Sequence, residues 1–176
     1  MADTSILNCG PIIEGLERDL GVSLETIARA LGCRPGDVVF TSGGTESDNL
    51  AIKGIYGARR AADPRRTRIL ASAIEHHAVL HSVEYLEKFG FEATYVRPDR
   101  NGIVHVEDIE AAIRPDTILI SVMYANNEIG TIQPIQEIGA LARARGITFH
   151  SDAVQAAGDL PLDVQALNVD LLSLSS

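Results

Sequence analysis

Asp152 is the residue in this sequence best placed to do chemistry. It ends the run Gly146-Ile147-Thr148-Phe149-His150-Ser151-Asp152, in which residues 147–149 favour a β-strand and Gly146 closes the helical run before them. In a parallel α/β sheet, ligands bind beyond the carboxyl ends of the strands. A carboxylate there can pair with a protonated ring nitrogen, with Gln155 in reach of the same ligand. It can equally cap a helix that opens at Ala153. The stretch alone fits both readings.

Three other stretches carry chemistry-bearing residues. Thr41-Ser42-Gly43-Gly44-Thr45-Glu46 places a glycine pair between a strand and a helix start. Such a junction lets the backbone approach a phosphate, points free N–H groups at it and adds the helix dipole. Ser42 and Thr45 add hydroxyl donors. It matches neither GxGxxG nor GxxxxGK[ST], and a plain glycine turn before a Thr-capped helix fits it too. Glu75-His76-His77 falls at another strand-to-helix junction, where the His76 imidazole can stack on a flat ring or move a proton. Neighbouring histidines face different sides of a helix, which disfavours a metal pair, so His77, His81 and His105 are expected at the surface. Asn126-Asn127 follows an apolar strand. The pair suits a loop with left-handed residues, or an amide donor to a ligand oxygen.

The elements that must position these residues alternate along the chain. Ser23 caps a helix over Leu24–Leu31, stopped by Gly32. A strand is expected over residues 37–40, and the helix after the glycine pair runs to about residue 56. Strands follow over residues 68–73, 91–96, 117–124, 146–152 and 169–173. Helices separate them over about residues 75–88, 106–113, 134–145 and 163–167, and the turn at residues 98–102 adds a break. The run 117–124 is the most apolar and is expected at the centre. Residues 12–20 suggest a short helix, and residues 63–66 a solvated loop. The alternation predicts an α/β fold in three layers, a mainly parallel sheet with helices on both faces. Thr45, His76, Asn127, Asp152 and Gln155 would then share one sheet edge, which favours one site over unrelated caps.

Composition narrows the class. The chain has 176 residues, 45% apolar and 22% charged, as an ordinary globular domain does. A net charge of −9 argues against a nucleic-acid surface and an anionic membrane. No apolar run reaches spanning length, and the first residues lack the basic start and apolar core of a signal peptide. Cys9 and Cys33 make no CxxC and no disulfide framework, which points to a cytoplasmic, reducing setting.

The motifs, in order and spacing, resemble the NifS/IscS-type cysteine desulfurases of the class V aminotransferase family. The resemblance rests on Thr41-Ser-Gly-Gly-Thr-Glu-Ser-Asp-Asn-Leu50, Glu75-His-His-Ala-Val79, Asn126-Asn-Glu-Ile-Gly130 and His150-Ser-Asp-Ala-Val-Gln155. It spans about residues 24–176. It implies the large domain of a fold type I, pyridoxal 5′-phosphate (PLP) dependent transferase, with residues 1–22 poorly matched. It implies that Gly44 and Thr45 hold the PLP phosphate and that Ser175 donates to it. It implies that His76 stacks on the ring and takes part in proton transfer, that Asn127 and Gln155 contact the ring oxygen side, and that Asp152 keeps the ring nitrogen protonated. The implied reaction takes sulfur from L-cysteine, releases alanine and leaves a persulfide on an enzyme cysteine. Sulfur-acceptor or scaffold proteins and a homodimer are the implied partners.

The sequence departs from that family in several places, among them the usual N-terminal segment with its Asn-Asn-Ala-Thr-Thr-like stretch, which is not found. The family's His-Lys pair, whose lysine binds PLP covalently, is expected just after Ser176, where the sequence ends. The sequence holds two lysines, Lys53 and Lys88, and neither stands at that position. The persulfide cysteine and the small C-terminal domain are expected beyond the sequence as well, and Cys33 reads as structural. The expectation is therefore an incomplete cofactor half, inactive by itself. Selenocysteine lyase, another class V lyase and a non-catalytic remnant of the fold stay open. A nicotinamide dehydrogenase lacks its glycine fingerprint.

Overall fold

Alternation of short apolar strands with amphipathic helices produces a sheet that must be covered twice. In a computed structural model, residues 23–62, 65 and 67–175 are described. The helix expected over residues 12–20, Cys9, most of the loop at 63–66 and Ser176 lie outside them.

Five strands form one sheet: β1 (Arg68–Ser72), β2 (Glu92–Val96), β3 (Thr117–Ser121), β4 (Thr148–Asp152) and β5 (Leu171–Ser173). Their order is β2-β1-β3-β4-β5, and every pairing is parallel. The helices are α1 (Leu24–Leu31), α2 (Gly44–Ala62), α3 (His77–Glu87), α4 (Val106–Ala112), α5 (Ile135–Arg145) and α6 (Val164–Leu167). The central strand is β3, buried at all five positions, as its composition implies.

Successive side chains of a strand leave opposite faces, so each strand feeds two cores. Ile69 and Ala71 of β1 pack with Leu119 of β3 against Ile52 of α2 and Val79, Val83 and Leu86 of α3. Leu70, Ile120 and Phe149 pack on the other face against Ile109 of α4 and Ile135, Ile138 and Ala142 of α5. Two cores around one sheet make the three layers.

The structure corrects three local expectations. Residues 37–40 form no strand: Pro35–Asp37 is a short 3-10 turn, and the following residues pair with no strand among the described residues. β-forming side chains make a strand only where a ladder partner exists. The α2 helix runs to Ala62 rather than stopping near residue 56. Gly54 and Gly57 do not stop it: a methyl group at either would meet nothing within 4 Å, so both sit on an open face. Finally, neither asparagine at 126–127 is left-handed; the non-glycine residue with positive φ among those described is Asn168, at 58°.

The chain order creates the site. From β1 the chain crosses through α3 to β2, and from β3 it crosses through α5 to β4 on the other side. The carboxyl ends of β1 and β3 therefore flank a switch point, where α/β sheets open a crevice.

Gly139 tests the packing of one layer. A Cβ there would meet the Leu167 carbonyl oxygen at 2.6 Å and the Asn168 Cβ and carbonyl oxygen, each at 2.8 Å. Backbone cannot step aside as a flexible side chain does, so Gly139→Ala should lose about 1–3 kcal/mol of stability. Gly54→Ala, in the open, should gain about 0.5–1 kcal/mol from helix propensity. Urea midpoints of both variants check this; a stabilising Gly139→Ala would contradict the α5–α6 contact.

Candidate functional site

The first turn of a helix leaves its N–H groups without helical acceptors. In α2, Ser47 is the first to find one, at the Gly43 carbonyl (3.1 Å). The turn ahead is stitched by Thr41 Oγ1 donating to the Gly43 carbonyl (3.1 Å) and by the Ser42 N–H donating to Glu46 (2.5 Å). Space beside Gly43 is open: a Cβ there would meet nothing within 4 Å. A Cβ on Gly44, by contrast, would meet Val154 Cγ2 at 2.8 Å and Ser175 Cβ at 3.7 Å. Glycine at 44 thus lets the helix start settle against the segments after β4 and β5. That brings Gly44, Val154 and Ser175 together at the start of α2.

His76 caps α3. Its φ of −60° and ψ of 149° are extended, and Nδ1 accepts from the Ala78 N–H at 3.2 Å. With that lone pair engaged, Nε2 is the nitrogen left for a ligand. His76 and Thr45 line one pocket of roughly 380 Å³ between α2 and α3, with Asn49, Lys53, His77 and Tyr85. His77, His81 and His105 are exposed, as expected. Among the described residues no group of three or more His, Cys, Asp or Glu could hold a metal ion, and no helix is long and apolar enough to cross a membrane.

Asp152 ends β4 and is 5% exposed. One carboxyl oxygen accepts from the Val154 N–H at 2.9 Å, so it caps a turn and not a helix. Burial pushes its carboxyl above the ordinary range, while the Val154 N–H and the nearby His76 favour its charge. A buried carboxylate with no lysine or arginine paired to it among the described residues suits a protonated ring nitrogen. Gln155 follows in the exposed turn.

The two asparagines divide their work. Asn126 is buried; its amide donates to the Ile74 carbonyl (2.9 Å) and its oxygen accepts from the N–H groups of Glu128 and Ile129, both at 2.9 Å. It ties the loop after β3 to the junction that carries His76. Asn127 is exposed beside it.

Behind these side chains lies a buried polar set that the motifs did not reveal. His150 is fully buried, with Nδ1 2.9 Å from Ser121 Oγ and Nε2 3.0 Å from Ser173 Oγ. Burial lowers its pKa to about 4, so it is neutral at pH 7. Its 3.6 Å approach to Asp48 is therefore no ion pair. Asp48 is 1% exposed; burial, and then the Asp152 charge, raise its pKa to about 7. Glu75 accepts from the Met123 N–H at 2.6 Å, and burial raises its pKa to about 8. The available signal was Asp48 standing four residues before Ile52, on the helix face that is buried. Cys33 is a free thiol that burial pushes up, which suits a structural role.

The fit to PLP rests on this donor set: a glycine-fronted helix N-terminus, an imidazole close to Asp152 and the buried acid itself. Comparison with known proteins agrees. The Aminotransferase class-V family model matches residues 23–176. "Cysteine desulfurase IscS" of Methanosarcina thermophila is 55% identical over 156 residues, 89% of this chain and 38% of that protein. Its counterpart of the same name in Dictyoglomus turgidum is 52% identical over 152 residues, 86% of this chain and 38% of that protein. Among solved structures, "SspA in complex with cysteine" superposes with a TM-score of 0.84 at 40% identity, over 99% of this chain and 49% of that one. DndA from Streptomyces lividans gives 0.80 at 38% identity, over 92% and 43%. The chain thus spans 38% of the length of these curated relatives. It belongs to the class-V aminotransferase family, among the IscS- and NifS-like cysteine desulfurase homologues.

Proposed function

We propose that residues 23–176 are the PLP-holding large-domain part of a cytoplasmic, homodimeric cysteine desulfurase. That enzyme takes sulfur from L-cysteine, releases alanine and passes the sulfur to an acceptor protein. The observation that carries the reading is the meeting of the α2 N-terminus with Val154 and Ser175, two residues beyond Asp152 and Ser173. Phosphate-binding and ring-binding groups are thereby fixed to one frame. Support for the substrate comes from the structural neighbour solved with cysteine.

When bound, PLP supplies an electron sink for the carbanion at the substrate α-carbon. The chain's own residues do the rest. The N–H groups of Gly44 and Thr45 and the Ser175 hydroxyl hold the phosphate against the positive end of α2. His76 flanks the ring and offers Nε2 to move a proton. Asp152 keeps the ring nitrogen protonated, and Asn127 and Gln155 bond on the ring-oxygen side.

Neither lysine stands where the family's PLP-binding lysine is expected, although Lys53 shares the pocket lined by His76 and Thr45. Lys53 donates to the Asn49 side chain and lies 4.9 Å from the Tyr85 ring centroid, and Lys88 lies 6.0 Å from the same ring. Both belong to the α2–α3 face. The 176 residues by themselves should therefore bind PLP reversibly and make no alanine from cysteine.

Two measurements check this. Borohydride reduction of the chain with PLP, followed by desalting, should leave no covalent pyridoxyl group; a labelled Lys53 would overturn the assignment of the lysines. In an absorbance titration with PLP, Asp152→Ala should bind roughly 10- to 100-fold more weakly, the worth of a hydrogen bond to a charged group at about 1.5–3 kcal/mol. Gly44→Ala should also weaken PLP, while leaving the affinity for phosphate-free pyridoxal unchanged. Equal losses for both ligands would remove the phosphate role from Gly44.

A further inference from the structure

Three carboxylates share the buried space behind the site, and the roles above use only one. Asp48 comes from α2, Glu75 from the β1–α3 junction and Asp152 from the end of β4. They are 1%, 6% and 5% exposed. Asp48 Oδ1 and Glu75 Oε2 are buried oxygens with no hydrogen-bond partner among the described residues. No lysine or arginine pairs with any of the three among the described residues. The imidazole beside Asp48 is no counter-ion, because Ser121 and Ser173 occupy both nitrogens of a neutral His150.

Three ionised carboxylates without a cation are untenable in so dry a space. Asp152 is the one the surroundings let ionise first. It takes the Val154 N–H, and His76 lies close to it. Its charge then opposes ionisation of the other two. Asp48 stands three residues beyond Thr45 on the same helix, so a charge there would also repel a phosphate at the cradle.

We infer that Asp48 and Glu75 are positioning residues that stand protonated near Asp152 in mildly acidic solution, so that the site then presents a single buried negative charge, on β4, to the cofactor's ring nitrogen. The identity of that cationic partner rests on the PLP reading; the placement of the protons does not. The groups facing Asp48 are His150 and Asp152 from β4 and Glu75, with His76 next to it, from the β1–α3 junction. From β5 it meets the Ser173 hydroxyl.

The test is carbon-13 NMR of side-chain carboxyls in the chain without added ligand, assigned with the isosteres Asp48→Asn and Glu75→Gln. Asp48 should titrate near pH 7 and Glu75 near pH 8, both after Asp152. A midpoint near the ordinary carboxylate value of about 4 for either acid would overturn the inference. Stability gives an independent readout. The folded chain keeps a proton that the unfolded chain releases above pH 3.8, so Asp48 makes the wild type less stable as pH rises from 3.8 to about 7. His150 contributes the opposite slope, because its folded value lies near 4, below the ordinary 6.5. The readout is therefore the difference: the folding constant of Asp48→Asn should gain on wild type by up to about tenfold per pH unit inside that window. A constant difference across it would overturn the inference. Asp48→Asn should also keep its PLP dissociation constant within about threefold of wild type at pH 6, unlike Asp152→Ala. A loss at pH 6 as large as that of Asp152→Ala would show that Asp48 works as an anion. High midpoints in a chain that binds no PLP would uphold the proton arrangement and sink the cofactor reading. PLP binding with ordinary midpoints would do the reverse.

Discussion

His150 holds three strands with one neutral ring. Its nitrogens reach Ser121 on β3 and Ser173 on β5, while its backbone runs through β4 between them. Strand register has a period of two, so a slip of one residue turns every side chain to the opposite face. A slip here would strand a buried imidazole and two buried hydroxyls without partners, a cost no apolar contact offsets. The ring thus pins the register in which Asp152 pairs with Ser173 at the sheet edge. Ser47 extends the set by donating to Ser173 at 3.1 Å, which ties α2 to the same frame. Every candidate contact with a cofactor depends on that alignment, although His150 itself lies too deep to touch one.

The α2 helix joins two jobs that compete. Its N-terminus must stay open to an anion, so its first turn carries glycine and small polar residues. Its next turn must bury against β4 and β5, and the residue that does so is an acid, Asp48. One turn further on, Ile52 returns to ordinary apolar packing against the second core. The helix therefore passes from ligand chemistry through a buried carboxylate to hydrophobic contact between Thr45 and Ile52. A proton on Asp48 makes that sequence of environments cheap, since an ionised carboxylate at this depth has no lysine or arginine to meet among the described residues.

Much of this was legible in the sequence, for physical reasons. Parallel strands buried on both faces announce themselves as apolar runs, and the run at residues 117–124 reads as central on that ground. Caps are equally local: Ser23 does accept from the Thr26 N–H, and Gly32 does end α1 at a φ of 67°. What escaped depends on partners distant in sequence. Residues 37–40 have the composition of a strand but no ladder to join. The helix end expected near residue 56 falls short of Ala62, because where a helix stops depends on the packing around it. Asp48 and Glu75 look like surface acids until the sheet closes over them. His150 stood inside a motif already singled out, but nothing local says that its neighbours will be two serines from other strands.

The pair Asn126-Asn127 marks that limit most sharply. The two residues are identical and adjacent, and no local rule separates them. The fold does: one faces inward and spends its amide on the Ile74 carbonyl, the Met123 sulfur and two loop N–H groups, and the other is left in solvent. The buried one fixes the loop across the switch point, so the exposed one is held where a ligand can find it. The same division recurs at Glu75 and His76, where the first residue is anchored to the Met123 N–H and the second opens to the pocket. In both places a buried polar residue immediately precedes the exposed one. Precision at this sheet edge therefore comes from residues that never meet the cofactor, and a change at Asn126 or Glu75 would act on the site by moving its neighbour.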